Sequence, residues 1–547
     1  MTGLTQSGLT HSSPGTDAVS PLATDHPTPA TDSADGAASA ADLGLVTPPL
    51  GLPRDLLGHL IDEHDRRTAP RLRRLWDYYR NPAIVDLTGE HPRTTRLAQE
   101  QGLPARLARN VAAATAVGSA AAGPADGRRA EVVIENDIAW RLHAMVDFMV
   151  GRGVVLQSTA ADPARATLLE GFLRRVLDRS GGHAFLQDLA LLGAIYGHVD
   201  VLLRTPGCVH CNNTGAGDAA CAPDPAADGF AFELIDPMRG IPVLDDDDYR
   251  QLAGYVVHHR QTLAAVERQP LVRRAWRAVF GRDGATPTRR ASVERTSVFT
   301  ADAVVHVRGP VDDPGSVTRE VNRLGRVPVV HIQNQPQPYH YEGLSEVEPL
   351  IPLQDELNTR LCDRASRVTF QSFKMYLGKG IEGFLERPVG PGQMWATDNP
   401  DASIEPFGGD GQSPSEDAHI AEVRDALDKA SGVAPVAAGI IRDKVGNLTS
   451  ENALRVVLMG LLAKTQRKRV LYGAGLARLA ELTLHAADVL GVLPNTPDER
   501  GIRLDWPSPV PEDDEQRLKL AALKKSLGVP TKRLLAELGY EGEEIGE

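Results

Sequence analysis

The chain has 547 residues, 42% of them hydrophobic, with 59 Lys and Arg against 72 Asp and Glu for a formal net charge of −13. Such a length holds about three or four domain-sized units, and the apolar fraction excludes disorder of the whole chain. No run reaches the roughly 20 apolar residues of a membrane span, and the acidic balance argues against tight wrapping of a nucleic acid, whose phosphates demand dense Lys and Arg.

Residues 1–52 are rich in Ala, Thr, Ser, Pro, Gly and Asp, without an aromatic residue or a Lys or Arg. A disordered tail is expected there, because such a segment cannot bury enough apolar surface to offset its ordering entropy. It also lacks the marks of a secretory or mitochondrial signal. From Pro53 the spacing turns helical: Leu56, Leu57, Leu60 and Ile61, then Leu72, Leu75, Trp76 and Tyr79 after a break expected at Pro70. Residues 131–150 place Ile134, Ile138, Leu142, Met145 and Met149 on one helical face, and 185–196 repeats the pattern up to Gly197. The most apolar stretch, 186–203, still carries Asp188, His198 and Asp200.

Short β-branched and aromatic runs follow at 199–203, 230–235, 255–259, 297–299 and 304–307, separated by turn signals, and predict strands. Two polar insertions interrupt them, 207–229 and the Arg-rich 268–295. After a Val327-Pro-Val-Val330 strand, a long helix is expected from Ser345, with Val347, Leu350, Ile351, Leu353, Leu357 and Leu361 on its apolar face. Pro349 and Pro352 fall in its first turns, where proline costs least. A Gly- and Pro-rich segment leads to a second helix at 414–430, broken by Ser431-Gly432. Thr449-Ser450 is a good cap for the longest periodic segment, which runs to about Leu490 and stops at Gly491 and Pro494. One or two short helices follow Pro511. The order of elements predicts an α+β chain.

Cys208, His210, Cys211 and Cys221 lie in the first insertion, and thiolates spaced in this way are able to grip zinc from a tight turn. The other reading is a hairpin tip with free thiols, since four cysteines in so long a chain imply no disulfide framework and a reducing compartment. Asp245, Asp246, Asp247 and Asp248 read as a solvated turn rather than a calcium loop, which needs alternating ligands and a turning Gly. Gly473-Ala-Gly475 has no following Lys-Ser or Lys-Thr, and neither a His-Glu-x-x-His helix nor a Gly-x-Ser-x-Gly elbow occurs. Nothing in the sequence supports catalysis. Lys464, Arg467, Lys468 and Arg469, with Arg455 upstream, read either as a phosphate-facing patch or as a solvated or interface face with carboxylate partners. Arg268, Arg273, Arg274, Arg277, Arg282, Arg289 and Arg290 suggest an exposed hairpin or a subunit-contact arm.

Three stretches, in order, resemble the tailed-bacteriophage portal protein family, the head-to-tail connectors of phages, prophages and gene-transfer agents. They are Arg326-Val-Pro-Val-Val-His-Ile-Gln-Asn334, Gly343-Leu-Ser-Glu-Val-Glu348 and Leu353-Gln-Asp-Glu-Leu-Asn358. Phe232-Glu-Leu-Ile-Asp-Pro237, the Asp turn, Ala253-Gly-Tyr-Val-Val257, Ser431-Gly-Val-Ala434 and Thr449-Ser-Glu-Asn-Ala-Leu-Arg455 support it, and the likeness covers roughly 54–540. It implies a mainly helical portal fold with a mixed α/β wing at 53–342, stem helices at 343–368 and 414–431, and a small α/β clip at 369–413. A tunnel loop at 432–448, a long wing and crown helix at 449–493 and a C-terminal crown region at 494–547 complete it. The tail and both insertions have no place in that pattern.

The resemblance implies a homo-dodecameric ring at a unique capsid vertex of the virion, assembled in the host cytoplasm, through which double-stranded DNA is packaged and ejected. DNA contact would be transient and non-specific, made by Val436, Ile440, Ile441, Arg442 and Lys444; the other reading for Arg442 and Lys444 is intersubunit pairing. Lys464, Arg467, Lys468 and Arg469 would meet DNA or a neighbouring subunit. Terminase large subunit and a head-tail adaptor would dock on the clip through Phe384, Met394, Trp395 and Phe407, unless these form the clip's own small core. Major capsid or scaffold protein would surround the ring, with no membrane, cofactor or enzymatic activity. The competing readings are a cytosolic zinc-dependent enzyme using Cys208, Cys211 and Cys221, and a minor capsid scaffold without a channel.

Overall fold

The computed structural model describes residues 50–85, 95–105, 107, 131–206, 229–248, 251–265, 289–372, 375–379, 399–407, 414–439, 455–509, 514–529, 531 and 534. The chain divides into two units, Met1–Thr47 and Pro48–Glu547, and all described residues belong to the second. The tail expected through residue 52 gives way earlier, because Leu50 is buried in a cluster with Leu57, Val298 and Val305.

Helix α1 (Arg54–Glu63) continues through a π-helical turn, His64–Thr68, into α2 (Ala69–Arg80), so the break expected at Pro70 does not occur. The Ala69 N–H reaches back to the His64 carbonyl, and Pro70 falls in the first turn of α2, where its missing N–H costs least. Asn81, with φ 47°, ends α2. Strands β1 (Ala83–Val85) and β2 (Thr95–Leu97) pair, and a 3-10 turn follows at Ala98–Gly102. Helix α3 (Asp137–Val150) starts later than the apolar spacing suggested, capped by the Asn136 side chain. Strand β3 (Val155–Ser158) and helices α4 (Pro163–Arg179) and α5 (His183–Tyr196) complete this part.

The predicted strands form β4 (His198–Arg204), β5 (Ala231–Ile235), β7 (Leu252–Ala265), β8 (Arg289–Thr300), β9 (Ala303–Arg308) and β11 (Val329–Gln333). Two further strands have weak sequence signals: β6 (Gly240–Leu244) contains Pro242, and β10 (Ser316–Val321) is exposed at every position. Antiparallel β10-β9-β8-β7-β6 make one sheet, and β11-β4-β5 another with β4 at its centre. Arg289 to Arg295 pair with Ala265 to His259, so the second insertion is shorter than 268–295 and opens as a hairpin.

A 3-10 turn (Glu348–Leu350) leads into α6 (Ile351–Ser372), so the helix expected from Ser345 begins later and ends later than 368. Strands β12 (Met375–Lys379) and β13 (Ser403–Phe407) pair antiparallel, and α7 (Pro414–Ser431) returns along α6. After a 3-10 turn at Pro435–Ala438 comes α8 (Met459–Val489), which follows a helical turn at 455–457 broken at Leu458. Strand β14 (Ile502–Asp505) pairs with β3, and α9 (Asp514–Ser526) comes last.

Helix α8 crosses the largest apolar cluster, where Tyr472, Leu476 and Leu479 meet Val199, Val201 and Ile332. Two glycines allow this approach. A Cβ on Gly475 would lie 2.4 Å from Ile332 Cγ1, and one on Gly193 would lie 1.9 Å from the Tyr472 hydroxyl.

Candidate functional site

Helices α6 and α7 form an antiparallel pair with an apolar seam of Leu350, Ile351 and Leu357 against Ile420, Val423 and Leu427. Polar contacts run along its edge: His419 lies 3.1 Å from Glu356, and ion pairs join Arg364 with Asp417 at 3.2 Å and Arg367 with Glu416. The far end of the pair carries the β12–β13 hairpin.

The near end is a buried polar node. Ser345 donates its hydroxyl to the Ile195 carbonyl at 2.5 Å and accepts the Val347 and Glu348 N–H groups, capping the turn into α6. Glu346, 3% exposed, faces Lys464 Nζ at 2.5 Å and Lys468 Nζ at 3.2 Å, both on α8. Gln335 Nε2 donates to the same carboxylate at 2.7 Å, and Lys464 Nζ also donates to the Ser431 carbonyl at the end of α7 at 2.8 Å. One carboxylate and one ammonium thus fasten both feet of the α6–α7 hairpin to α8. Burial alone would raise the Glu346 carboxyl, but the Lys468 and Lys464 ammoniums hold it down at about 2. Burial pulls Lys468 below the ordinary ammonium range. Two ammoniums on one carboxylate leave an excess of positive charge inside, so the carboxylate stays ionised. Asn334 completes the node: its N–H reaches the Gly197 carbonyl, its amide donates to the Leu344 carbonyl, and its Oδ1 accepts the Tyr472 hydroxyl at 3.1 Å.

A second network lies along α6. Gln354 and Asn358, both fully buried, bond each other at 3.1 Å. Gln354 also accepts the Asp137 N–H and donates to the Glu135 carbonyl, while Asn358 accepts the Glu135 N–H and donates to Gln99 Oε1. Tyr78 donates to Asp355 at 2.6 Å. The Gln-Asp-x-Leu-Asn rhythm is therefore a fastener for the segment before α3 and the 3-10 turn after β2. Arg141, fully buried on α3, adds ion pairs to Asp137 and to Asp428 of α7 and lies over the Trp140 ring.

A third node, missed in the sequence, sits in the β11-β4-β5 sheet. Asp200, 1% exposed, accepts from His331 at 2.7 Å, Tyr341 at 2.8 Å and Tyr255 at 2.7 Å. His331 Nε2 lies 2.7 Å from the Tyr341 carbonyl, so both ring nitrogens face oxygen atoms. Burial pushes Asp200 up, and the facing His331, with help from His198 and Tyr255, brings it down to about 2. The available signal was an Asp between Val199 and Val201 in an otherwise apolar strand, paired in register with His331.

Of the basic group on α8, Arg467 alone is exposed. Lys464 and Lys468 are tied to Glu346 of their own chain, and Arg469, 8% exposed, donates to the Pro507, Phe148 and Met149 carbonyls. The carboxylate that Lys464 and Lys468 meet belongs to their own chain and is buried with them, so these two lysines form no solvated face. Val436 lies half-buried in the 3-10 turn after α7; Ile440, Ile441, Arg442 and Lys444 lie outside the described residues. So do Phe384, Met394, Trp395, Cys208, His210, Cys211 and Cys221, while Phe407 is placed at the end of β13 opposite Met375. Among the described residues no group of His, Cys, Asp or Glu is arranged to hold a metal, and no helix is long and apolar enough to cross a membrane. Asp245 Oδ1 accepts the Asp247 and Asp248 N–H groups, making the acidic run a turn between β6 and β7.

The polar side chains of all three nodes fasten distant segments of the chain to one another. A family model described as phage portal protein, SPP1 Gp6-like, matches residues 216–545, and the chain belongs to this family. No curated protein matches. Solved structures that are similar include the virion of a native gene transfer agent (GTA) particle, 14% identical with a TM-score of 0.41, and the neck of an empty GTA particle computed with C6 symmetry, 14% identical with a TM-score of 0.42. The neck of a native GTA particle computed with C12 symmetry is 13% identical, with a TM-score of 0.39. In each case 73% of this chain and 89% of the other is covered.

Proposed function

We propose that copies of this chain close into a ring at one capsid vertex and line the channel through which double-stranded DNA enters and leaves the particle. The observation that carries this reading is the Glu346 node. It gathers the start of α6, the end of α7 and the long α8 at one point, and the segment 432–448 departs from that point. In this reading 343–368 and 414–431 are the stem, 369–413 the clip, 432–448 the tunnel loop, and 53–342 the wing. Residues 449–493 cross the wing towards the crown at 494–547.

A ring closed by cyclic symmetry joins two different patches of each subunit, and twelve copies is the number that the family resemblance implies. The net charge of −13 per chain suits a conduit that must not hold its cargo. A wall dense in Lys and Arg would stall a moving polyanion, since each phosphate contact breaks at every step, whereas an acidic wall keeps the duplex centred. Arg442 and Lys444 then touch phosphate lightly, beside Ile440 and Ile441. The clip is the docking surface for terminase large subunit during packaging and for a head-tail adaptor afterwards, with Phe384, Met394, Trp395 and Phe407 as anchors.

Alanine at Ile440, Ile441, Arg442 and Lys444 together, supplied in a producing host, is expected to leave capsid numbers unchanged and to lower the DNA content per particle. Unchanged DNA content would favour the scaffold without a channel.

A further inference from the structure

His198, the first residue of β4, is 5% exposed and takes no part in the bonds that satisfy Asp200. Its Nδ1 has no hydrogen-bond partner among the described residues, and its Nε2 stands 3.9 Å from Asp200 Oδ2, beyond hydrogen-bond reach. A buried imidazole left in this state calls for an explanation. Its neighbour on the loop 335–342, between β11 and the turn into α6, is Tyr341. That ring meets His198 edge-on, with centroids 5.9 Å apart, and stacks on His331 at 3.8 Å. Side chains tie the loop down. The Tyr341 hydroxyl donates to Asp200, Gln333 Nε2 donates to the His340 and Tyr341 carbonyls at 2.8 and 3.1 Å, and Glu342 pairs with Arg71 of α2. The loop is also strained: Tyr339 has a φ of 67°, which a bulky residue rarely adopts, and with 84% of it exposed its own packing does not offset the cost.

We propose that the loop 335–342 is a strap over His198 that acid releases: the ring stays enclosed while neutral, and once it takes up a proton it reaches water by Tyr341 lifting away. Enclosing a charged ring costs far more than enclosing a neutral one, and burial holds His198 below the ordinary imidazole range. Asp200 and Glu342 favour a charge on it, His331 and Arg71 oppose one, and burial outweighs them all. Tyr341 and Tyr255 of β7, which share Asp200, stay uncharged because burial raises both hydroxyls well above their ordinary value. With the folded value depressed, closure is fully favoured above the ordinary 6.5 and weakens as the pH falls below it. Relief of the Tyr339 backbone adds to the opening. The strap lies within one chain, so it stands or falls apart from the ring reading.

The test follows amide exchange of 335–342 in the full-length protein by mass spectrometry between about pH 8 and pH 5, corrected for the intrinsic pH dependence of exchange. In wild type the loop is expected to open about tenfold more at the acid end, because an imidazole released to water takes up its proton in this range. His198→Gln, neutral throughout, is expected to abolish the rise, with His198→Phe in its place should circular dichroism show the glutamine variant unfolded. His340, exposed in the loop, is common to all these proteins and cancels. A second arm tests the cover with diethylpyrocarbonate, which labels exposed imidazoles, read by peptide mass spectrometry near neutral pH. Tyr341→Ala is expected to speed labelling of His198 at least about tenfold, the weight of one hydrogen bond to a charged group. The proposal is overturned by loop exchange that does not rise in acid, by a rise that survives the loss of His198, or by labelling of His198 in Tyr341→Ala at the wild-type rate.

Discussion

Replacing Glu346 with glutamine removes the carboxylate that two buried ammonium groups share, at 2.5 and 3.2 Å. At an effective dielectric constant near 20, each contact at this range is worth about 5 kcal/mol before desolvation is counted. Desolvation offsets several kcal/mol per ion, but breaking one partner of a buried pair still costs about 3 to 5 kcal/mol, because the remaining charge is left uncompensated. The carboxyl gives a similar figure: a descent from 4.5 to about 2 corresponds to about 3 kcal/mol in favour of the ionised form. Glu346→Gln is therefore expected to destabilise the protein by about 3 kcal/mol, read as a lowered midpoint in urea unfolding. Lys468→Met on that background is expected to recover part of the loss, since it removes the excess positive charge. The pH dependence has a definite sign. The folded value is depressed, so the contribution is complete above the unfolded value of 4.5 and is lost as the pH falls towards 2. The difference between wild type and Glu346→Gln should shrink by about half by pH 3. A loss below about 1 kcal/mol, the size expected of an exposed pair, would refute the account of the node as a buried fastener.

Asp200→Asn is expected to cost about 3 kcal/mol, because the buried carboxylate takes hydrogen bonds from His331, Tyr341 and Tyr255 and an amide nitrogen in its place has nothing to accept them; thermal unfolding followed by circular dichroism checks it, and a change within about 0.5 kcal/mol, as at ordinary surface sites, would remove Asp200 from the account. Gly475→Ala places a methyl group against Ile332, with an expected cost of about 1 to 3 kcal/mol. In an Ile332→Ala background the added cost should largely vanish, and a full cost there would locate the strain elsewhere.

Much of the architecture was legible in local pattern. The α6–α7 pair and the end of α8 follow from apolar spacing and from breakers at Ser431-Gly432 and Gly491, whereas the break at Leu458 within the segment expected from Thr449 did not. Strands β4, β5, β7, β8, β9 and β11 announced themselves through β-branched runs. Elements whose partners are far away in sequence did not: β3 and β14 pair across more than 300 positions, and neither run is apolar enough alone to stand out. The π turn before Pro70 was hidden for a related reason, since the proline signals a break while the burial of Leu57, Leu72 and Leu75 favours continuity. The motif around Ser345, Glu346, Gln354 and Asn358 was visible as a resemblance, but its physical role was not. Which carboxylate answers Lys464 and Lys468 depends on a helix more than 100 positions away being laid across the start of α6. The same distance concealed Asp200, whose partners come from β7, β11 and the loop after it.

Negative-stain electron microscopy of the purified chain, with its solution mass, tests the central claim most directly. Rings with an axial opening and a mass close to twelve times 58.8 kDa are predicted. Particles without a central opening, or a monomer that never closes into rings at any concentration, would contradict it.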